Sequence, residues 1–322
     1  MKPIVLISLA SSLWACSSTS SPPVVPTCNS ANLCTLSWGS YDLAVDAAHG
    51  ARIVTFSLAG TNIILTQTAE AAEFGATFWP SPQSAWNWPP ITAVDTGAYT
   101  AAIQNDVLVL TSAAFTIAAG DPEMTIEKRF SVNSGSNVVT IAYFFHNQGT
   151  TAVSLAPWEI TRVAAGGLTF FPNPAGGPVP RKCSGTFPMP TMSDDESYTF
   201  FADLSSTGQT KLCAEGGPKG YEAQLSGDLL LVQAWTDVPD AAEAAGEGQD
   251  EFYTDPSFTY EEVENQGPYA SLAAGSSTQW TVRWTLAKVA GLDAGVKASN
   301  VFESASLRQS IEQAADQQAT LQ

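Results

Sequence analysis

Positive charge is scarce in this chain. Lys and Arg number 13 against 31 Asp and Glu, and the formal net charge is −18. Nucleic-acid binding needs clustered Lys and Arg against phosphates, so no nucleic-acid partner is expected. Recognisable catalytic and metal motifs are missing too. There is no Gly-rich phosphate loop, no Ser-His-Asp arrangement and no CxxC, and neither His49 nor His146 lies near a Cys. Neither a cofactor nor a metal is therefore expected. No repeat of fixed period and no second domain boundary appears, so most of the 322 residues read as one domain with a sizeable core.

What is abundant points elsewhere. Nine Trp stand among many Asn, Gln, Ser and Thr, and charged residues reach only 14%. Cores also use Trp, but this mixture suits a neutral polar ligand such as a sugar, whose apolar faces pack on rings.

Lys2 precedes an apolar run, Pro3 to Trp14, too short to span a bilayer as a helix. The run ends in Leu13-Trp14-Ala15-Cys16, which resembles a bacterial lipobox, although Trp14 is bulkier than the usual occupant. The expectation is a lipoprotein signal peptide over residues 1–16, with Cys16 acylated as a membrane anchor. A Ser/Pro-rich linker and a small disulfide loop are expected over 17–34, a β domain over 35–290 and a helical tail over 291–322. No acidic residue follows Cys16 directly, which by resemblance to bacterial sorting rules points to the outer membrane. Apart from Cys16, four cysteines remain: Cys28, Cys34, Cys183 and Cys213. An even number in an exported chain reads as two disulfides, with three pairings open. One of them closes a short loop through Cys28 and Cys34 and staples a long excursion through Cys183 and Cys213. Nothing in the sequence fixes an oligomeric state.

Period-2 alternation dominates the body of the chain. Strands are expected at Tyr41 to Val45, Arg52 to Leu58, Asn62 to Leu65, Val107 to Leu110, Met124 to Val132, Val138 to His146, Leu229 to Trp235 and Gln279 to Leu286. In the last of these, Trp280, Val282, Trp284 and Leu286 point inward and Thr285 outward. Only the C-terminus reads as helix, from Asn300 to about Ala319, with Ser299 as cap and Val301, Leu307 and Ile311 as its stripe. The fold class is all-β, a sandwich of antiparallel sheets with a short C-terminal helix. Pro-rich Phe78 to Pro90 reads as a loop carrying three Trp, because Pro cannot donate to a central ladder. Asp237 to Asp255 and the Asp194-Asp195-Glu196 run read as solvated acidic segments, without the spacing of a calcium loop.

Four stretches carry a resemblance: GARIVTFSLAGTNIIL (Gly50 to Leu65), GATFWPSPQSAWNWPP (Gly75 to Pro90), IAYFFHNQGTTAVSLAPWEITRV (Ile141 to Val163) and YEEVENQGPYASLAAGSSTQWTVRWTL (Tyr260 to Leu286). Their order resembles the galactose-mutarotase-like β-supersandwich, and more closely a bacterial family of unassigned function built on that fold. The resemblance implies stacked antiparallel sheets around a concave face that accepts a carbohydrate. It also implies a His acid and a Glu base, since mutarotation must deprotonate the anomeric hydroxyl and protonate the ring oxygen. Trp158 falls where that acid is sought, which argues against turnover.

Candidate site residues follow. Glu262 and Glu264 lie two apart in an extended segment and share a face, where mutual repulsion would raise one pKa. They are the tentative catalytic base, or paired acceptors for sugar hydroxyls, or a solvated face on an edge strand. Trp79, Trp86 and Trp88, with Gln83 and Asn87, would wall a ligand, or else close over a sheet end. Trp158 would be a stacking platform and Arg162 a hydroxyl donor, or Trp158 a core residue beside a Glu159–Arg162 ion pair. Three functions follow: a lipid-anchored protein that holds a mono- or oligosaccharide without converting it, an aldose 1-epimerase-like isomerase, or a structural envelope protein with no pocket.

Overall fold

The computed structural model describes residues 22–177, 188, 192–194, 197–201, 208–290, 292 and 298–321. Cys16 and the expected signal peptide lie outside these residues, as do Cys183 and the Asp195-Glu196 part of the acidic run.

Antiparallel pairing gathers the described strands into an 11-stranded and a 10-stranded sheet. The main path of the first runs Thr27–Cys28, Leu33–Trp38, Tyr41–Asp46, Arg52–Leu58, Ala76–Ser81, Val153–Ala164, Tyr260–Gln266, Asp250–Thr254 and Thr210–Ala214. The middle of the second is Leu229–Ala234, Ser277–Lys288, Val138–Asn147 and Met124–Asn133. A disulfide joins Cys28 to Cys34 across the first strand pair. Cys213 is also disulfide-bonded.

Alternation decides what meets between the sheets. Val139, Ile141, Tyr143 and Phe145 are buried on one face of their strand. Phe78 reaches them from the first sheet and stacks on Tyr143, with ring centroids 4.1 Å apart. Each such fully buried aromatic side chain contributes about 2–3 kcal/mol. Trp280, Val282, Trp284 and Leu286 are buried as their alternation predicts. Thr285 is buried as well, against expectation, because the C-terminal helix packs over that side of the sheet. Ile311 and Ala315 of that helix lie in one cluster with Leu230 and Val232.

The helical tail comes in two parts, Ala298–Glu303 and Ala305–Ala319. Ser304, rather than Ser299, caps the longer one: it is extended and its hydroxyl accepts from the Leu307 N–H. Of Asn62 to Leu65, only Thr61–Asn62 forms a strand, and Ile64 makes a single bridge to Val163.

Three expectations are corrected. The Trp-Pro-rich segment is not loop from its start: Ala76–Ser81 is a fully buried strand inside the first sheet. Pro80 fits there because it stands opposite Pro157. Neither has an N–H, and opposed residues at a non-hydrogen-bonded position need none. The acidic segment is not a solvated loop either, since Asp250–Thr254 is an interior strand and Glu247, Asp250 and Glu251 are buried. The Glu262 strand is no edge, being paired to Val153–Ala164 on one side and Asp250–Thr254 on the other.

Candidate functional site

The register of five strands builds one surface on the face of the first sheet that points away from the second. Trp79 pairs with Trp158, Arg162 with Glu262, Glu262 with Tyr253, and Tyr253 with Lys211. Residues opposite each other in antiparallel strands share a face, so these side chains converge. All of them but Arg162 line a cavity of about 380 Å³, a size suited to a small ligand. Its aromatic walls are Trp79, Trp88, Trp158, Tyr253 and Tyr260. Its polar lining is Glu73, Gln83, Gln209, Lys211 and Glu262.

The three Trp form a corner. The Trp79 ring meets Trp158 at 5.4 Å and 81°, and Trp88 at 6.2 Å and 72°. Trp88 is 56% exposed while Trp79 and Trp158 are buried, so the corner runs from the floor to the rim. Trp79 is held from behind by its Nε1–H donating to Asp95 Oδ1 at 3.0 Å. Asp95 in turn pairs with Arg52 at 2.8 Å. Gly50 makes that support fit: it has φ +65°, and a Cβ there would lie 1.9 Å from the Asp95 carbonyl oxygen.

Beneath the cavity, two cations organise four carboxylates. Arg162, 1% exposed, donates to Glu262 Oε1 at 2.8 Å and pairs with Glu73 Oε2 at 2.9 Å. Burial works against its charge, but Glu262 and Glu73 outweigh that and hold its pKa up. Lys211 Nζ lies 2.7 Å from Glu251 Oε2 and 3.6 Å from Glu264 Oε2. Its pKa is likewise raised: burial lowers it, and Glu251 and Glu264 more than compensate. Burial pushes the Glu262 carboxyl up, with Arg162 opposing. Burial also raises Glu264 well above the usual range, against the pull of Lys211. Glu247, pushed to about 8 by burial and by Glu251, completes this acidic floor. Ligand atoms of Cys213, Glu247 and Glu251 come within 4.8 Å of one another. The Cys213 sulfur is in a disulfide and Glu251 is tied to Lys211, so this group lacks the free thiolate of a metal ligand.

Of the residues singled out in the sequence, Trp79, Gln83, Trp88, Trp158 and Glu262 line the cavity. Trp86 stays outside the lining: it packs edge-on to Trp79 and its Nε1–H donates to the Pro80 carbonyl at 2.8 Å. Asn87 is exposed at φ +59° and also stays outside. Arg162 lies under the floor, and Glu264 is buried beneath Trp158, accepting its Nε1–H at 2.8 Å. No Glu159–Arg162 pair forms, because the two side chains leave opposite faces of their strand. Glu159 points between the sheets, where the Tyr143 hydroxyl, Asn265, Trp284 and Gln233 donate to it. His49 contacts Asp46 and His146 contacts Ser277, both away from the cavity.

The two-sheet arrangement has many solved counterparts. A galactose mutarotase-like protein from Lactobacillus casei ATCC 334 matches at TM-score 0.57 and 11% identity, over 79% of this chain and 100% of that one. A galactose mutarotase related enzyme from Lactobacillus acidophilus matches at 0.56 and 9%, over 80% and 98%. A galactose mutarotase-like protein from Clostridium acetobutylicum matches at 0.53 and 10%, over 80% and 95%. The fold is the galactose-mutarotase-like supersandwich. No family model and no curated protein matches the chain.

Sequence reasoning missed Glu73, Gln209, Lys211, Tyr253 and Tyr260 in this supersandwich. Tyr253 carried a readable signal: Glu251 and Tyr253 alternate with Phe252 as in a half-polar strand. Tyr260 is two residues before Glu262, on the same face by the same rule. Glu73, Gln209 and Lys211 carried none, since only the pairing of distant strands brings them in.

Proposed function

We propose that this chain is an exported, lipid-anchored protein whose supersandwich holds a carbohydrate in the tryptophan-walled cavity without converting it. The observation that carries the reading is the corner of Trp79, Trp88 and Trp158 facing carboxylates and amides in one cavity. Aromatic faces take the apolar side of a sugar ring, and the polar lining takes its hydroxyls. Binding without turnover is supported by the position of both histidines outside the cavity and by the engagement of Glu262 with Arg162. The Leu13-Trp14-Ala15-Cys16 sequence supports export and lipid anchoring, and the lack of an acidic residue directly after Cys16 supports the outer membrane.

The test is a titration of the purified protein with a glycan panel, followed by tryptophan fluorescence. A saturable change with at least one sugar is expected, and Trp88→Ala should weaken it. No response across the panel would remove the carbohydrate reading. Cys16→Ala should release the protein from the membrane fraction, and unchanged fractionation would remove the anchor. An aldose 1-epimerase-type isomerase is the second reading, drawn from Glu262 and the Tyr253 and Tyr260 hydroxyls on its wall. Burial raises the Tyr253 hydroxyl to about 12, which keeps it a proton donor at neutral pH. Polarimetry on galactose and glucose decides it: acceleration lost in Glu262→Gln would replace binding by catalysis.

A further inference from the structure

Resting on the carbohydrate reading above, we propose that the cavity selects a sugar carrying a protonated amine over its neutral counterpart, and disfavours acidic and phosphorylated sugars. Three independent features of the site lead there.

The first is how its cations are committed. Arg162 is shared by Glu73 and Glu262, and Lys211 by Glu251 and Glu264. An anionic ligand would therefore have to displace a buried carboxylate from its partner, leaving that carboxylate uncompensated. An ammonium displaces nothing. Arg162 engages one oxygen of Glu262 and one of Glu73, and the second oxygen of each accepts no hydrogen bond from a described residue. Both carboxylates line the cavity, with side chains 13% and 21% exposed.

The second is the nature of the walls. An aromatic face attracts a cation through its ring quadrupole. Two of the rings already do so with protein cations: Arg162 Cζ lies 5.4 Å from the Trp79 centroid, and Lys211 Nζ 5.2 Å from that of Trp158. Trp88, at the exposed rim, has no cation over it among the described residues, which leaves a ring in the same cavity as the carboxylates for a ligand ammonium.

The third is the field of the whole chain. A net charge of −18 concentrates cations and repels anions at a cleft whose own charges lean the same way. A neutral hexose meets the same rings and acceptors but gains nothing from either charge effect.

The experiment compares glucosamine, glucose, N-acetylglucosamine, glucuronate and glucose 6-phosphate on the whole protein, by tryptophan fluorescence, at a pH where the amine is protonated. Glucosamine should bind about tenfold more tightly than glucose, the size of one good cation–aromatic contact with a charge partner. N-acetylglucosamine, which has lost the charge, should lose that advantage, and the two anions should bind more weakly than glucose. Raising the salt should shrink the glucosamine advantage and leave glucose unchanged. Glu262→Gln should cut the glucosamine-to-glucose ratio to about twofold or less. Because Glu262 also holds Arg162, Glu73→Gln, at the more exposed carboxylate, serves as the second variant and should lower the ratio in the same direction.

Equal affinity for glucosamine and glucose, or glucuronate binding as tightly as glucose, would overturn the selectivity while leaving sugar binding in place. A ratio untouched in both variants would overturn the role of the two carboxylates. Failure of every sugar to bind would overturn both this inference and the reading it rests on.

Discussion

The outward faces of the two sheets are finished in opposite ways. On the second sheet, Leu168, Phe170, Tyr221, Leu230 and Val232 are apolar or aromatic, and the C-terminal helix seals them with Ile311 and Ala315. On the first sheet, Trp79, Trp158, Arg162, Lys211, Glu262 and Glu264 share the outward face, where the short helix Thr92–Asp95 packs beside Trp79 and leaves the cavity open. Burial alone does not separate the two, since Leu230 and Glu264 are both fully buried. What separates them is the means of compensation. The sealed face rests mainly on hydrophobic contact, with Asp316 of the helix bonding Tyr221 and Lys219 at its edge. The open face buries charges, and each must find a partner, which fixes geometry and leaves polar groups at a cavity. Stability is thus concentrated where the helix docks, and recognition where ion pairs are held under rings.

Breaking the ion-pair floor should have the largest effect. Arg162→Leu leaves Glu73 and Glu262 without their cation, and removing one partner of a buried pair costs about 3–5 kcal/mol. Chemical denaturation should show that loss together with loss of sugar binding. Ile311→Ala attacks the sealed face instead and should cost about 2–4 kcal/mol, with binding unchanged in the protein that remains folded. A binding loss there would mean the two faces are coupled. Trp88→Ala should do the reverse: sugar affinity falls about tenfold while stability moves by less than about 0.5 kcal/mol, since the side chain is exposed.

The pH dependence sharpens the same contrast. Glu247 titrates at about 8 in the fold. Above its ordinary value the unfolded chain is deprotonated while the native carboxyl still holds its proton. Stability therefore falls as pH rises from the ordinary glutamate range to about 8, then levels. Glu222, Asp250 and Glu264 are raised by burial and add in the same direction. Glu247→Gln should flatten part of this slope in denaturation curves taken across that range, and an unchanged slope would exclude Glu247 as a contributor.

Strands were readable wherever one face met the core and the other met water, as at Val138–Asn147 and Ser277–Lys288. Where both faces are buried alternation disappears, and such a strand was legible only as an unbroken apolar run, as at Leu229–Ala234. Ala76–Ser81 is buried at every position, and its prolines read as loop when the partner strand had merely placed Pro157 opposite Pro80. Asp250–Thr254 read as solvated because its acids have no local partners. Lys211, which neutralises Glu251, arrives from a separate strand. The same limit explains the site. Trp79, Gln83, Trp88, Trp158 and Glu262 stood out by residue type, while Glu73, Gln209 and Lys211 did not.

Composition and local pattern by themselves determined an antiparallel all-β chain, a net negative charge, a helical end and a supply of tryptophan. Each of these is encoded within a few neighbouring residues or in the sum over all of them. Tertiary structure alone decided which tryptophans form the corner, which carboxylates keep a free oxygen, and that Arg162 and Lys211 are spoken for. Those outcomes depend on the register between strands far apart in the chain, and a shift of one residue would have sent every one of these side chains to the other face.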